Sequence, residues 1–338
     1  MEEINGIIPN NRNGIHFPFL LFFVIISLFF NLSCHKKNQK YNKELLVLCF
    51  HTVNPNIESF SNVKPVQLEK IIMNLKSNNY TFISNMNQFY NSNKTKNILL
   101  TFDDGWRSQY LWVINLLNKY KIKALFFIYP TVIGKFDKYM TWDMIKSIKI
   151  HGHEIGVHSY NHPDLTRHRK NYKSFLNKQI IESKNIIEKK LNCKINNFAY
   201  PFGLYNKRIQ KFLYSGKYRY AFTTNNSKND LETYPYYINR FVVNKHTKIR
   251  DIINCKILKL IYLYPENGKT YNKEIKIIKG ELKKNIPFVD LYLMNKWIGR
   301  VKVKNKKFKI KYNFKKNKKY QINLIYKNYF NSYLFTIR

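Results

Sequence analysis

The sequence predicts an α/β fold, an irregular (β/α)7-type barrel, followed by a small all-β sandwich with Ig-like strand spacing. From about residue 45 to residue 250, short β-branched and aromatic runs alternate with longer amphipathic stretches, as in β/α units around a parallel sheet. After about residue 255 the pattern changes to short alternating strands with tight turns and no credible helix. The 338 residues therefore suggest one large and one small domain, because single hydrophobic cores stop growing near about 250–300 residues.

Seven strands and five helices make up the predicted barrel, and its chemistry is expected at the carboxyl ends of the strands. The strands are predicted at residues 45–51, 80–84, 97–103, 123–129, 153–159, 196–200 and 218–223. The helices are predicted near residues 66–77, 107–120, 141–150, 171–191 and 205–214. In the accessory sandwich, residues 289–293, 299–303 and 308–312 show the clearest strand alternation.

The N-terminus carries a targeting signal. Residues 17–30 form an almost unbroken apolar run, too short for a comfortable membrane span and typical of a secretory signal. Cys34 follows a small residue, as at a lipoprotein acylation site, although a plain signal anchor is an open alternative. We therefore predict a signal at 1–34, a linker at 35–44, the barrel at 45–250 and the sandwich at 255–338, in an exported protein anchored to the membrane of the cell envelope.

The formal net charge of +39 would ordinarily suggest a nucleic acid or an anionic surface as partner. Lys, Asn, Ile and Tyr are in excess throughout the chain, however, and no module typical of nucleic-acid binding is present, so we expect no nucleic-acid partner. The charge favours acidic envelope surfaces. Cys49, Cys193 and Cys255 show no pairing pattern and are expected to be buried structural residues.

The segment TFDDGW, residues 101–106, places two adjacent carboxylates at the end of a predicted strand. Adjacent carboxylates repel one another and lose hydration, so a compensating cation is expected beside them. On an extended segment Asp103 and Asp104 point in different directions, so one can bind a metal while the other faces substrate. Taken alone, Asp-Asp-Gly is also ordinary turn chemistry.

The segment HSYNH places His158 and His162 four residues apart, directly after a predicted strand. On one turn or tight loop both imidazoles can bind the same ion, whereas an isolated exposed pair would have no such role. Together with one carboxylate they supply three ligands and leave open positions, as in a catalytic hydrolytic site. Zinc is the expected metal, and cobalt or nickel would also fit this ligand set.

Three short segments of this chain resemble the motifs of a known enzyme family. TFDDGW, HSYNH and FAYPFG (residues 198–203) resemble, in order and spacing, the first three motifs of the polysaccharide deacetylases of carbohydrate esterase family 4. The resemblance covers about residues 45–245. It implies a deacetylase barrel in which Asp103 is the catalytic base, Asp104 the metal-binding carboxylate, and His158 and His162 the metal-binding histidines.

The third motif departs from the family pattern. The resemblance implies substrate or oxyanion contacts from Tyr200 and Pro201, through a backbone N–H and groove-lining side chains. Family members often have, where this chain has Ala199, an arginine that pairs with the catalytic base. Arg240 is our candidate to orient the base instead, although an ordinary ion-pair arginine is an equally simple interpretation.

The general-acid histidine that typical members place after the third motif is also missing here. His51 instead ends the first predicted strand, as in the branch that resembles poly-N-acetylglucosamine deacetylases. Although a lone histidine at a strand end is often structural, this one falls at the expected active face, so we assign it as the general acid.

These features predict a metal-dependent deacetylase, which is expected to be a monomer, acting on an N-acetylated envelope glycan or exopolysaccharide. A poly-N-acetylglucosamine-like polymer is the first candidate substrate and peptidoglycan the second. Two alternatives are open: a non-catalytic glycan-binding lipoprotein, and a metallohydrolase for another acyl substrate.

Overall fold

Nine strands form one curved, mainly parallel sheet, the architecture expected of an irregular (β/α) barrel. A computed structural model describes residues 43–167, 170–266, 270–271, 275–294, 296–315, 318–327 and 329–337. The predicted signal, Cys34 and nearly all of the linker lie outside these residues. The strands are β1 Glu44–Phe50, β2 Thr81–Ile83, β3 Lys96–Phe102, β4 Leu125–Ile128, β5 Glu154–Val157, β6 Asn197–Ala199, β7 Tyr220–Phe222, β8 Asn229–Asp230 and β9 Phe241–Val242.

The strand order is β7-β6-β5-β4-β3-β1-β8, with β2 on β3 and β9 on β1. Only β8 pairs antiparallel, so the carboxyl ends of the other strands share one edge. That common edge brings together segments far apart in the sequence.

Helices cover the outer face of this sheet. They are α1 Pro65–Ser77, α2 Met86–Asn91, α3 Ile114–Lys119, α4 Trp142–Ile150, α5 Tyr172–Leu176, α6 Ser183–Leu191, α7 Lys207–Ser215 and α8 Ile249–Asn254. The π-helical turn Gln109–Val113 precedes α3, Asn177–Glu182 joins α5 to α6, and Pro201–Gly203 is a 3-10 turn. In the part of the chain that the structure describes, no helix is both long and apolar enough to span a bilayer.

Alternation along the strands separates two apolar clusters. Leu46 and Leu48 pack towards the helices, whereas Leu45 and Val47 face the inner side of the sheet with Phe127. Both faces of the central strands are therefore buried, which explains why they are continuous apolar runs.

The chain beyond residue 255 forms two antiparallel-rich sheets. Its strands are β10 Lys256–Ile257, β11 Leu260–Tyr264, β12 Thr270–Tyr271, β13 Ile277–Leu282, β14 Phe288–Leu293, β15 Lys296–Lys302, β16 Lys307–Lys311, β17 Lys318–Tyr326 and β18 Tyr329–Ile337. One sheet has the order β10-β18-β17-β14-β15 with β12 on β18, and the other has the order β11-β13-β16. The Ig-like classification and the boundaries at 250 and 255 stay predictions, since residues from Lys43 onward form one compact unit.

All seven predicted barrel strands and five predicted helices are present, with ends shifted by a few residues. Four short elements escaped prediction: α2, β8, β9 and α8. Each has only two to six residues, too few for a periodic pattern.

Candidate active site

The two adjacent aspartates lie where β3 ends at the carboxyl edge of the sheet. The Asp103 N–H still donates to the Phe50 carbonyl at 2.8 Å, which continues the pairing of β3 with β1. The chain then turns, with φ angles of 76° at Asp104 and 72° at Gly105. A side chain at Gly105 would come within 3.0 Å of Ile133, so the turn needs glycine for space as well as for conformation. The turn sends the two carboxylates into different surroundings.

Asp103 is buried and held by a guanidinium fork. Arg240 Nη1 donates to Oδ1 at 2.7 Å and Nη2 donates to Oδ2 at 2.8 Å, a bidentate ion pair between side chains that are both almost fully buried. Burial alone would raise the pKa of Asp103, but the charges of Arg240 and then His158 outweigh it and hold the pKa well below its usual range. Asp103 is therefore a carboxylate at any working pH.

Arg240 is itself fixed on several sides. Its Nε donates to the Thr223 carbonyl at 2.9 Å, and Nη1 also reaches Thr101 Oγ1 at 3.2 Å. The guanidinium lies 5.3 Å from the ring centre of Phe127, within cation–π range. Burial opposes the charged form, yet the neighbouring carboxylate raises the pKa of Arg240. The residue proposed from sequence as the partner of Asp103 is thus in direct contact with it.

Asp104, His158 and His162 form a second cluster, whose ligand atoms all lie within 4.8 Å of one another. His158 Nε2 and His162 Nε2 lie 3.6 Å and 3.8 Å from Asp104 Oδ1, and 3.1 Å from each other. His158 Nδ1 lies 2.8 Å from the Ala199 carbonyl, which can only accept, so this nitrogen carries the proton and Nε2 offers a lone pair.

This donor set fits a divalent metal ion. Donors bound about 2.0–2.2 Å from one tetrahedral ion lie about 3.3–3.6 Å apart, close to the separations seen here. Burial, followed by the nearby His158, lowers the pKa of His162 to about 4, so that imidazole is neutral as a metal ligand must be. The carbonyl behind His158 is the outer partner that orients metal-binding histidines.

The loop that carries the histidines is held by polar side chains. The His162 N–H donates to Ser159 Oγ at 2.9 Å, and Gln179 Oε1 accepts from the Tyr160 N–H at 3.1 Å. Gln179 Nε2 donates to Asn161 Oδ1 at 2.7 Å. Gln179 is buried and was not identified from sequence, because nothing in its own helix signals a contact with a loop 18 residues earlier.

His51 follows β1 and belongs to a separate group of possible ligands that includes Asp103. Cys49, His51 and Asp103 have ligand atoms within 4.8 Å of one another, and the Cys49 thiol lies 3.4 Å from Asp103 Oδ2. Gln109 Nε2 donates to the backbone carbonyls of both His51, at 2.7 Å, and Asp103, at 2.6 Å. This one amide therefore fixes the ends of two neighbouring strands, and it too escaped prediction.

Tyr200 and Pro201 do not lie where the predicted substrate or oxyanion contacts would require them. The Tyr200 N–H donates to the Phe222 carbonyl at 3.0 Å, and its side chain is fully buried with the hydroxyl donating to the Tyr236 carbonyl at 3.1 Å. Pro201 has no N–H and is buried. The structure therefore does not present either residue to a substrate. The exposed member of this segment is Phe202, at φ 57°, whose ring lies 4.6 Å from that of His162.

Comparisons with known proteins indicate the family that the three motifs resemble. Residues 90–221 match the family model described as polysaccharide deacetylase. Peptidoglycan-N-acetylmuramic acid deacetylase PdaA of Bacillus subtilis (strain 168) is 40% identical over 88 residues, 25% of this chain and 32% of that protein. Peptidoglycan-N-acetylglucosamine deacetylase PgdA of Listeria monocytogenes serotype 1/2a (strain 10403S) is 28% identical over 115 residues, 34% of this chain and 23% of that protein. The matches span less than a third of either relative.

Solved structures share the fold. The Streptococcus pyogenes deacetylase PplD, in complex with acetate, has a TM-score of 0.56 at 22% identity and covers 61% of this chain and 95% of its own. IcaB from Ammonifex degensii has a TM-score of 0.53 at 21% identity and covers 61% of this chain and 94% of its own. The sequence match and the shared fold lead to one conclusion: residues 90–221 of this chain resemble the polysaccharide deacetylase family, and the two carboxylates and two histidines of the site lie within the matched residues.

Proposed function

We propose that this chain is a metal-dependent deacetylase that hydrolyses the N-acetyl groups of an envelope glycan or exopolysaccharide and releases acetate. The observation that carries the proposal is the adjacency of two different carboxylates. Asp103 is clamped by Arg240 and faces His51, whereas Asp104 faces the ligand nitrogens of His158 and His162. A base and a metal site are thus separated by one peptide bond.

Asp104, His158 and His162 would hold the metal, zinc first, with cobalt or nickel as functional substitutes. When bound, a divalent ion polarises the acetamide carbonyl and lowers the pKa of water. The protein's own groups do the rest.

Asp103 accepts the proton of the attacking water, and the Arg240 fork keeps its oxygens aimed while the water is deprotonated. His51 donates a proton to the departing amine, so that the leaving group is neutral. Both residues end neighbouring parallel strands, which places acid and base on the same side of the sheet edge.

The substrate class rests on two different arguments. The position of His51 at the front of the domain favours a poly-N-acetylglucosamine-like polymer, our first candidate. The names of the curated relatives PdaA and PgdA favour peptidoglycan, our second. The acetate complex of the structural neighbour PplD is consistent with acetate as a product.

The contact between Arg240 and Asp103 argues against the alternative of a non-catalytic binding protein. A binding protein needs no oriented base, yet here a buried arginine replaces the arginine missing at Ala199. A metallohydrolase for another acyl substrate would use the same groups, and only substrate tests separate it from the glycan deacetylase.

We further propose that the protein is exported, acts as a monomer, and is held at the envelope membrane by its N-terminal segment, through lipidated Cys34 or an uncleaved anchor. Mass spectrometry of the membrane-extracted protein would distinguish a diacylated Cys34 from an intact N-terminus.

The decisive experiment measures acetate release by residues 43–338, first stripped of metal and then reconstituted with zinc or cobalt. The substrates are poly-N-acetylglucosamine and peptidoglycan. We expect metal-dependent release that falls by at least about 100-fold in Asp103→Asn, because the general base is lost. Asp143→Asn is the matched control, since Asp143 is exposed on α4 and belongs to neither group of possible metal ligands.

Each outcome has a meaning. Acetate release that needs metal, is lost in Asp103→Asn and is retained in Asp143→Asn would support the deacetylase. The rates of release would then rank the two polymers as substrates. Bound metal without release from either polymer would contradict glycan deacetylation, and a panel of O-acetylated and amide substrates would then test the other acyl hydrolase.

A further inference from the structure

The positive charge of this chain is unevenly distributed. Residues 255–338 carry 22 Lys and Arg against four Asp and Glu, whereas residues 43–254 carry 33 against 14. The two regions thus have nearly equal net charge, although the first has well under half as many residues. A uniform compositional excess, expected from the sequence, does not explain this concentration in the all-β region.

The structure places part of this charge on one sheet face. Lys279 on β13 and Lys309 on β16 are direct cross-strand partners, and both are exposed. Lys307 and Lys311 point to the same side of β16, because side chains alternate along a strand and Phe308 faces the core between them. We call Lys279, Lys307, Lys309 and Lys311 the lysine face.

Nothing within the sheet neutralises most of this face. Glu281 is the one acidic residue in strands β11, β13 and β16, and it lies 3.9 Å from Lys307. Like charges placed directly opposite one another destabilise a sheet, so the Lys279–Lys309 pair is unfavourable to folding. An external anion would remove that cost.

Part of the lysine face lies at the end of the sheet that is away from one contact with the barrel. Lys259 and Lys283, at one end of the same sheet, form ion pairs with Asp230 at 2.6 Å and Glu232 at 2.9 Å. Asp230 pairs with Glu44, where β1 begins, so this end adjoins the amino edge of the barrel sheet. Lys279 and Lys311 lie towards the other end of their strands.

We propose that the lysine face docks on an anionic phospholipid bilayer. A plane of ammonium groups complements a plane of headgroup phosphates, and each lysine near such a surface adds to the attraction. The proposal does not depend on the deacetylase activity.

The test is vesicle sedimentation of residues 43–338, which form one compact unit containing both described core regions. Vesicles of phosphatidylglycerol and phosphatidylcholine are compared with phosphatidylcholine alone at about 0.15 M salt, where long-range attraction is screened. The face variant combines Lys279→Gln, Lys309→Gln and Lys311→Gln. The matched control combines Lys94→Gln, Lys207→Gln and Lys211→Gln, three exposed barrel lysines.

We expect binding to the anionic vesicles only, weakened on the order of 100-fold in the face variant and by less than about threefold in the control. Equal losses of vesicle binding in both variants would mean that net charge alone causes the binding. No loss in either variant would mean that the lysines only protect the edge strand β16 from pairing with another chain. Either result would overturn the proposal. The proposal would also be overturned if the face variant lost binding to soluble polyphosphate but still bound the anionic vesicles. Thermal unfolding of each variant shows that folding is retained.

Discussion

Asp103 and Asp104 differ by position, although they are chemically identical neighbours. Asp103 is held by an arginine fork beside a thiol, with His158 Nε2 at 3.7 Å from its Oδ2, whereas Asp104 lies near the Nε2 atoms of both histidines and does not contact the arginine. A carboxylate whose oxygens both accept from one guanidinium is rigid and fully ionised. Its neighbour keeps lone pairs available for a metal ion. At the residue scale, the division of labour follows from what each side chain contacts.

Removing the charge at Arg240 should damage both stability and the pH profile. In Arg240→Met the buried Asp103 carboxylate loses its partner, so we expect a loss of about 3–5 kcal/mol in the free energy of unfolding. Without the guanidinium, burial raises the pKa of Asp103, and the acid limb of kcat/KM should move to higher pH. Urea unfolding and pH–rate profiles measure the two effects.

Two variants control this prediction. Arg240→Lys retains charge but not the fork, and should fall between wild type and Arg240→Met in both measurements. Arg219→Met removes an exposed arginine and should change neither. An unshifted acid limb in Arg240→Met would show that Arg240 does not set the ionisation of the base.

Substitution of His51 should separate chemistry from metal binding. In His51→Gln we expect kcat to fall by about 10²–10⁴, because the departing amine loses its proton donor. The metal content, measured by mass spectrometry, should stay at the wild-type level, since His51 lies outside the Asp104 cluster. His151→Gln, at an exposed position that ends α4, is the control. Loss of metal from His51→Gln would make His51 a ligand and remove it as the acid.

At the scale of elements, the site depends on how closely neighbouring strands approach. Gly156 on β5 lies against Phe127 on β4, and a Cβ at Gly156 would come within 2.5 Å of that ring. Phe127 in turn lies under the Arg240 guanidinium. Gly156 thereby allows Phe127 to pack between β5 and the arginine that holds Asp103.

Gly156→Ala should therefore cost about 1–3 kcal/mol of stability by overpacking and should also lower kcat. The ring is displaced towards Arg240, which disturbs the fork on Asp103. Adding Phe127→Leu makes room for the new methyl group and should restore part of the lost kcat. Thermal unfolding and acetate release test both variants, and a fully active, stable Gly156→Ala would show that the strands can separate without effect on the site.

At the scale of the whole molecule, buried polar groups join the start of the barrel to the elements that follow it. Lys228, almost fully buried, donates to both carboxylate oxygens of Glu44 at 3.1 and 3.2 Å and to the Ile253 carbonyl at 2.8 Å. His153, also buried, accepts from the Ala124 N–H through Nδ1 at 3.1 Å. That bond requires the neutral ring, so the packed fold disfavours imidazolium at this position.

Acid should consequently destabilise the protein through His153. Burial, followed by the charges of Lys123 and His151, lowers the pKa of His153 from 6.5 to about 4. Between these two pKa values the unfolded chain binds a proton that the folded chain does not. The free energy of unfolding therefore has its full value above pH 6.5 and falls by up to about 3 kcal/mol as the pH decreases to about 4. His153→Asn, which keeps an acceptor but does not titrate, should flatten this part of the profile. Urea titrations from pH 7.5 to about 4 give the slope; an equal slope in both proteins would exclude His153 as the cause.

The sequence by itself determined the order of β/α units and identified the three residues of the candidate metal cluster. Both signals are local: strand and helix periods extend over a single element, and TFDDGW and HSYNH each lie within six residues. Parallel strands also place their carboxyl ends at one edge, so residues that end strands could be expected to meet. Arg240 could be suggested only because this chain has Ala199 where members of the family it resembles often have an arginine.

Only the tertiary structure decided which groups surround each catalytic candidate. Gln109, Gln179 and Cys49 act through contacts between elements distant in sequence, and such contacts leave no periodic pattern. Tyr200 was assigned to the substrate groove by its motif, but its N–H pairs with Phe222 on the neighbouring strand and its ring fills the core. The reason is geometric: alternation along a strand fixes which residues share a side, while the packing of neighbouring strands and helices decides which side is open.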